Sequence, residues 1–150
     1  MGDTTARHIL LIAGEDTILD YVRTIFNDND ITIKPDITSA QRILIGENAE
    51  IDCIIIDPTI RSQNPSTTVQ QLQSIADNTP LVILTTLETF ELAVNALNAG
   101  VSKFYTLNTP ADIFCEGVTE TIAYARKQQT DAILLGHLRN AIRGYQNNAI

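Results

Sequence analysis

The chain has 150 residues, the size of one ordinary domain, and such a length buries roughly 68–70% of its unfolded surface without disulfide or metal staples. Hydrophobic residues make up 44%, charged residues 19% and aromatics 5%, which excludes disordered and coiled-coil classes. Ten Lys and Arg against 18 Asp and Glu give a net charge of −8; phosphate backbones and anionic lipid repel such a chain, so neither nucleic acid nor membrane is an expected partner.

Short apolar runs alternate with amphipathic stretches, the pattern of a repeating βα sheet. His8-Ile9-Leu10-Leu11-Ile12 predicts a first strand. A first helix follows, with Ile18, Leu19, Val22, Ile25 and Phe26 at three-to-four spacing. Ile31-Thr32-Ile33-Lys34 alternates like an edge strand, and Thr38 and Ser39 are the expected caps of a second helix carrying Ala40, Ile43 and Leu44. Cys53-Ile54-Ile55-Ile56 is apolar at every position, as a central parallel strand buried on both faces requires. Asp57-Pro58 ends it. A polar loop, residues 61–66, leads to a third helix with Val69, Leu72 and Ile75.

Pro80 introduces the fourth strand, Leu81-Val82-Ile83-Leu84. The fourth helix carries Phe90, Ala93, Val94 and Leu97 and closes at Gly100, a natural left-handed residue after a helix. Val101 to Thr106 predicts a short fifth strand. Thr109-Pro110-Ala111-Asp112 has the residues of a helix start, and the inward face of that fifth helix is expected to be Ile113, Phe114, Val118, Ile122 and Ala125. Five βα units are complete by about residue 127, and right-handed crossovers place helices on both faces of a parallel sheet. The expected division is therefore a domain over 7–127 and a C-terminal helical extension or linker over 128–150. In that tail Ala132, Leu135, Leu138, Ile142 and Tyr145 recur at helical spacing. They suit a second amphipathic helix or a continuation of the fifth, either packing back on the domain or dimerising or leading to an output module.

Cys53 and Cys115 lie far apart without metal-ligand or redox spacing, and Cys53 reads as a buried hydrophobe. Met1-Gly2-Asp3-Thr4 does not resemble a secretory leader, and no apolar stretch approaches the ~20 residues that span a bilayer. A cytoplasmic chain is expected.

In open parallel sheets function sits at the carboxyl ends of the strands. Those positions hold Ala13-Gly14-Glu15-Asp16, Asp57, Thr85-Thr86 and Thr106-Leu107. Asp52-Cys53-Ile54-Ile55-Ile56-Asp57, Pro80-Leu81-Val82-Ile83-Leu84-Thr85 and Ala99-Gly100-Val101-Ser102-Lys103-Phe104 together resemble the third, fourth and fifth strands of receiver domains of two-component response regulators. Ala13 and Asp57 are 44 positions apart, Asp57 and Thr85 are 28, and Thr85 and Leu107 are 22, separations similar to those of that family. The resemblance covers about residues 7–127. It implies a flavodoxin-like sheet of order 2-1-3-4-5, Asp57 as phosphoacceptor, Thr85 as the hydroxyl that follows the phosphoryl group, and Phe104 as the switch aromatic. It also implies a non-enzymatic signalling module. Its protein partner would be a histidine kinase or a downstream output domain. Partners would meet the face of helix four, strand five and helix five, where Phe90, Val94, Phe104 and Tyr105 are candidates; homodimerisation would use that face or the C-terminal helix.

Four positions depart from the family. Ala13 and Gly14 stand where receivers place the acid pair that holds Mg²⁺, Leu107 stands where they place a Lys and Asn108 where they usually place a Pro; Glu15 and Asp16 follow two residues late. Mg²⁺ takes octahedral oxygen ligands, one or two of them carboxylates, so little metal affinity and no cofactor are expected. A phosphoaspartate here would lack its counter-cations, and an unpaired buried ion costs on the order of several kcal/mol. Driving a switch from 1:99 to 99:1 takes about 5.5 kcal/mol of differential stabilisation. The expectation is a pseudo-receiver that signals by protein contact. The alternatives are a working receiver with an unusual site at Asp57 and a small-ligand-binding flavodoxin-like domain. The loop after the first strand matches neither a GxGxxG nor a P-loop phosphate cradle.

Overall fold

The computed structural model of the chain describes residues 7–46, 50–57, 65–75, 79–86, 94, 97–98 and 100–148. Five strands form one parallel sheet: β1 (Ile9–Ile12), β2 (Ile31–Lys34), β3 (Cys53–Ile56), β4 (Leu81–Thr85) and β5 (Lys103–Thr106), in the order β2-β1-β3-β4-β5. Between them lie α1 (Asp16–Ile25), a 3₁₀ turn (Asp28–Asp30), α2 (Ile37–Gly46) and α3 (Pro65–Ile75). Residues 94 and 97–98 are helical and belong to α4. The chain ends in α5 (Ala111–Asn148), a single helix of 38 residues. This is the doubly wound α/β architecture expected from the alternation of elements, in the flavodoxin-like strand order that the receiver resemblance implies.

The all-apolar runs are the central strands because only there are both faces covered. Every residue of β1, β3 and β4 is buried, whereas β2 and β5 are half-buried edges. Burying each large aliphatic side chain contributes about 1.5–3 kcal/mol. The pleat sorts these side chains into two cores. Ile9, Leu11, Cys53, Ile55, Val82 and Leu84 meet Ile18 and Val22 of α1 and Phe114, Val118 and Ile122 of α5. Leu10, Ile12, Ile54, Ile56, Leu81 and Ile83 meet Ala40 and Ile43 of α2 and Leu72 of α3.

Several expected details change. The cap of α2 is Asp36, not Thr38 or Ser39: its Oδ1 accepts the Ser39 N–H at 2.8 Å, and a carboxylate one residue before the helix reaches that orphan donor best. Phe26 follows α1 as its C-cap instead of lying within it. Ile113 is 51% exposed, because one residue is a 100° step on a helix and Phe114 takes the inward position. Leu97 is exposed while Val94 is half-buried. Phe90, Ala93, Pro58 and the loop residues 61–64 lie outside the described residues, as do the side chains of Val69, Ile75 and Tyr145.

Gly100 does close α4, with φ 99° and its N–H donating to the Leu97 carbonyl at 3.1 Å. The tail takes the second of the two forms expected for it, a continuation of the fifth helix. It continues α5 through residues 127 and 128 without a break, and Leu135, Leu138 and Ile142 are exposed. No helix among the described residues is long and apolar enough to cross a membrane.

Candidate functional site

The parallel register brings the carboxyl ends of the strands together. Ile12 pairs with Ile56, so Ala13 and Asp57, each one residue further, are neighbours across β1 and β3. The Asp57 N–H donates to the Ile12 carbonyl at 3.0 Å. Thr85 pairs with Thr106 at the ends of β4 and β5, and the Leu107 N–H donates to the Thr85 carbonyl at 3.2 Å. The structure therefore gathers Ala13, Asp57, Thr85 and Leu107 at one edge of the sheet.

Strand alternation divides them between the faces. Ala13 belongs to the core under α1 and α5, and Leu107 packs against that same core. Asp57 continues the parity of Cys53 and Ile55 and so shares their face. Phe104 packs against the opposite core, beside α2 and α3, and Thr85 continues the parity of Leu81 and Ile83 on that face. Asp57 is only 2% exposed and Thr85 fully buried, and both are engaged in interactions within the fold. Tyr105 points away from Phe104 into the α5 side. Its ring meets Phe114 edge-on at 5.1 Å between centroids, and its hydroxyl lies against Gly117. Tyr105 is thus half-buried against the α1 and α5 core, on the opposite face of β5 from Phe104.

The donor set does not fit a receiver-type Mg²⁺ centre. Asp57 brings a carboxylate, while Ala13 brings a buried methyl group and Gly14 nothing. Glu15 and Asp16 are exposed at the start of α1, and the Thr17 hydroxyl donates to Glu15 Oε2 at 3.3 Å. Leu107, at the same edge of the sheet, extends the apolar core. Among the described residues no group of three or more His, Cys, Asp or Glu side chains is placed to hold a metal ion.

Two features lie at the other end of the sheet and have no local sequence signature. Asp52 Oδ2 accepts the His8 N–H at 2.9 Å and pairs with Arg126 Nη2 at 3.0 Å, tying the start of β3 to α5 where that helix leaves the body. Beside it is a cavity of about 1070 Å³ between the starts of β4 and β5 and the middle of α5, lined among others by Leu81, Lys103, Glu120, Tyr124, Gln128 and Ile133. Residues from four elements and up to 60 positions apart build it, so no spacing rule could reveal it.

No protein-family model matches the sequence, and comparison with curated proteins gives no match. Solved structures do match. A response regulator receiver domain protein (CheY-like) from Methanospirillum hungatei has a TM-score of 0.71 at 16% identity, covering 83% of this chain and 99% of that one. An adenylate cyclase structure from Rhodopirellula baltica has a TM-score of 0.74 at 18% identity, covering 88% and 98%. Full-length FixJ from B. japonicum has a TM-score of 0.73 at 16% identity, covering 94% of this chain and 70% of that one. The chain therefore has the fold of response regulator receiver domains.

Proposed function

We propose that this chain is a receiver-like signalling module that works through protein contact and not through Mg²⁺-dependent phosphorylation. The observation that carries the reading is that Ala13 and Asp57 are neighbours just past the paired ends of β1 and β3, with Leu107 closing the same edge. The fold supplies the scaffold of a receiver, and the three positions that would neutralise a phosphoryl group are a methyl, a hydrogen and an isobutyl group. Phosphoryl transfer depends on positioning and on neutralising charge spread over the equatorial oxygens, which none of these groups does. On this reading the module is non-enzymatic, needs no cofactor, and acts in the cytoplasm. Its partner is a histidine kinase or an output domain meeting the surface of α4, β5 and α5, where Phe104 and Val94 are half-buried.

A phosphodonor assay tests it. The chain is incubated with acetyl phosphate and Mg²⁺ and analysed by mass spectrometry, beside Asp57→Ala and a receiver of intact site. No labelling of Asp57 above the Asp57→Ala background is expected. Rapid labelling that disappears in Asp57→Ala overturns the reading and favours a working receiver with an unusual site.

A further inference from the structure

The groove between α5 and the starts of β4 and β5 lies at the opposite end of the sheet from Asp57. On α5, Glu120, Tyr124, Gln128 and Ala132 follow at steps of four, a stripe about 18 Å long, and all four line the groove. Lys103 lines it from β5; it has the strand parity of Tyr105 and so shares the α5 face of the sheet. Among the described residues neither the half-buried Lys103 ammonium nor the Glu120 carboxylate has an ion-pair or hydrogen-bond partner.

The amides are in a similar state. Gln73 of α3 lines the groove with its amide against Gly100, where a Cβ would collide with Nε2. It is half-buried and has no hydrogen-bond partner among the described residues. Gln128 Nε2 donates to the Tyr124 hydroxyl at 2.9 Å, which leaves the hydroxyl proton and the Gln128 carbonyl oxygen for a ligand. Between these polar groups stand Leu81, Ala125, Ile133 and the Tyr124 ring.

We propose that this groove binds a short peptide with free termini, its carboxylate on Lys103, its ammonium on Glu120 and its side chains against the apolar lining. A ligand that brings one charge of each sign answers both unpaired groups. Nucleotides and other polyanions meet Glu120 and a chain of net charge −8, which repels them; polycations meet Lys103. A wholly apolar ligand would take Lys103 and the Gln73 amide out of water without partners, which is costly. A carboxamide carries one donor side and one acceptor side, as a peptide group does, so Gln73 and Gln128 match a peptide backbone. The volume, about 1070 Å³, stands at the top of the ~300–1,000 Å³ range of ligand pockets and exceeds what a single amino acid fills. Because the groove spans the sheet and the stretch of α5 that leaves the body, a bound peptide bridges the two. The module thereby has an input that needs neither Mg²⁺ nor Asp57.

The test titrates the full ¹⁵N-labelled chain with the tripeptide leucyl-alanyl-phenylalanine and with its N-acetyl and C-amide forms, followed by backbone amide NMR shifts. Saturable binding with a Kd at or below ~1 mM is expected. Shifts should fall at Gly100, Ser102, Lys103 and Tyr124, and not at Ala13, Asp57 or Leu107. Blocking either terminus is expected to weaken binding by about three- to tenfold. The N-acetyl loss should vanish in Glu120→Gln and the C-amide loss in Lys103→Gln, where the missing charge no longer has a partner; the spectra of both variants report their fold. Failure of the free tripeptide to saturate the chain up to ~10 mM overturns the proposal, as do shifts confined to the strand-end site. Terminal blocks that cost nothing, or cost the same in the variants as in the natural chain, overturn it too. So does free phenylalanine binding as tightly as the tripeptide.

Discussion

Arg126 meets Asp52 at 3.0 Å across the lower edge of the sheet, and the same Asp52 oxygen accepts the backbone N–H of His8. One carboxylate therefore anchors the entry to β1, the entry to β3 and the point where α5 leaves the body. The pair itself is part-exposed, with side chains 35% and 21% accessible, so its own contribution is small, about 0–1 kcal/mol. The backbone acceptor is worth more, because a part-buried N–H left unpaired costs ~1–3 kcal/mol. Urea unfolding should rank the variants accordingly: Asp52→Ala loses about 1–3 kcal/mol, while Arg126→Ala and Asp52→Asn each lose under about 1 kcal/mol. Equal losses for all three would show that the ion pair, not the N–H acceptor, dominates.

Gly117 is required by Tyr105. A Cβ at this position of α5 would run into the Tyr105 hydroxyl and crowd its ring, which Phe114 holds edge-on from the other side. Ala is otherwise the better helix former by about 1 kcal/mol, but overpacking costs ~1–3 kcal/mol. Gly117→Ala is therefore expected to destabilise the fold, and Tyr105→Phe to recover part of the loss by removing the hydroxyl. A double-mutant cycle by thermal or urea unfolding reads the coupling; additive effects would mean that the ring moves aside freely.

Alkaline pH should unfold the chain earlier than its carboxylates would suggest. Burial raises Tyr21 above its ordinary 10.0, with Asp112 and Tyr105 adding to the effect, and burial followed by Glu120 raises Tyr105. Burial also raises the Cys53 thiol above its ordinary 9.0, with Asp52 adding. Each group holds its proton more tightly folded than unfolded, so the unfolded chain binds fewer protons above these values. Stability is then full below about pH 9 and falls as pH climbs, first through Cys53 and then through the tyrosines. The Tyr21 hydroxyl also donates to the Thr109 carbonyl at 2.6 Å, a bond lost on ionisation. Tyr21→Phe and Tyr105→Phe should each flatten the decline above pH 10 in denaturant titrations. Native chain should expose only Cys115 to thiol reagents at neutral pH, with Cys53 reacting after unfolding; equal reactivity would contradict its burial.

The sheet was legible because its signal is local: four apolar residues in a row at Cys53–Ile56 have no other economical place than a strand covered on both sides. The edge strands, the left-handed Gly100 and the start of α5 near Pro110 were legible for similar reasons. Asp36 was passed over because Thr38 and Ser39 are equally good capping residues and only geometry decides. Phe114 and Ile113 are indistinguishable as apolar neighbours until the helix is rotated against the sheet. The gathering of Ala13, Asp57 and Leu107 followed from strand ends alone, but their common face needs the pleat's parity. The groove and the Asp52–Arg126 tie join residues from distant elements and leave no trace in any window of sequence.

Rebuilding the strand-end site separates scaffold from chemistry. Nothing lies within 4 Å of a Cβ placed on Gly14, so Gly14→Asp should change stability by no more than about 0.5 kcal/mol. Ala13 is 1% exposed beside Asp57, and Ala13→Asp buries a second carboxylate against the first. That variant should lose ~3–5 kcal/mol in metal-free buffer, the range for an uncompensated buried charge. Mg²⁺ should then return part of the loss, by about 2.7 kcal/mol at 100 times its Kd. With Leu107→Lys added to both, acetyl phosphate and Mg²⁺ should label Asp57, detected by mass spectrometry. The natural chain should gain no comparable stability from Mg²⁺, because its positions 13 and 14 offer no carboxylate. If the natural chain is labelled as fast as the triple variant, those three positions are not what limits the chemistry.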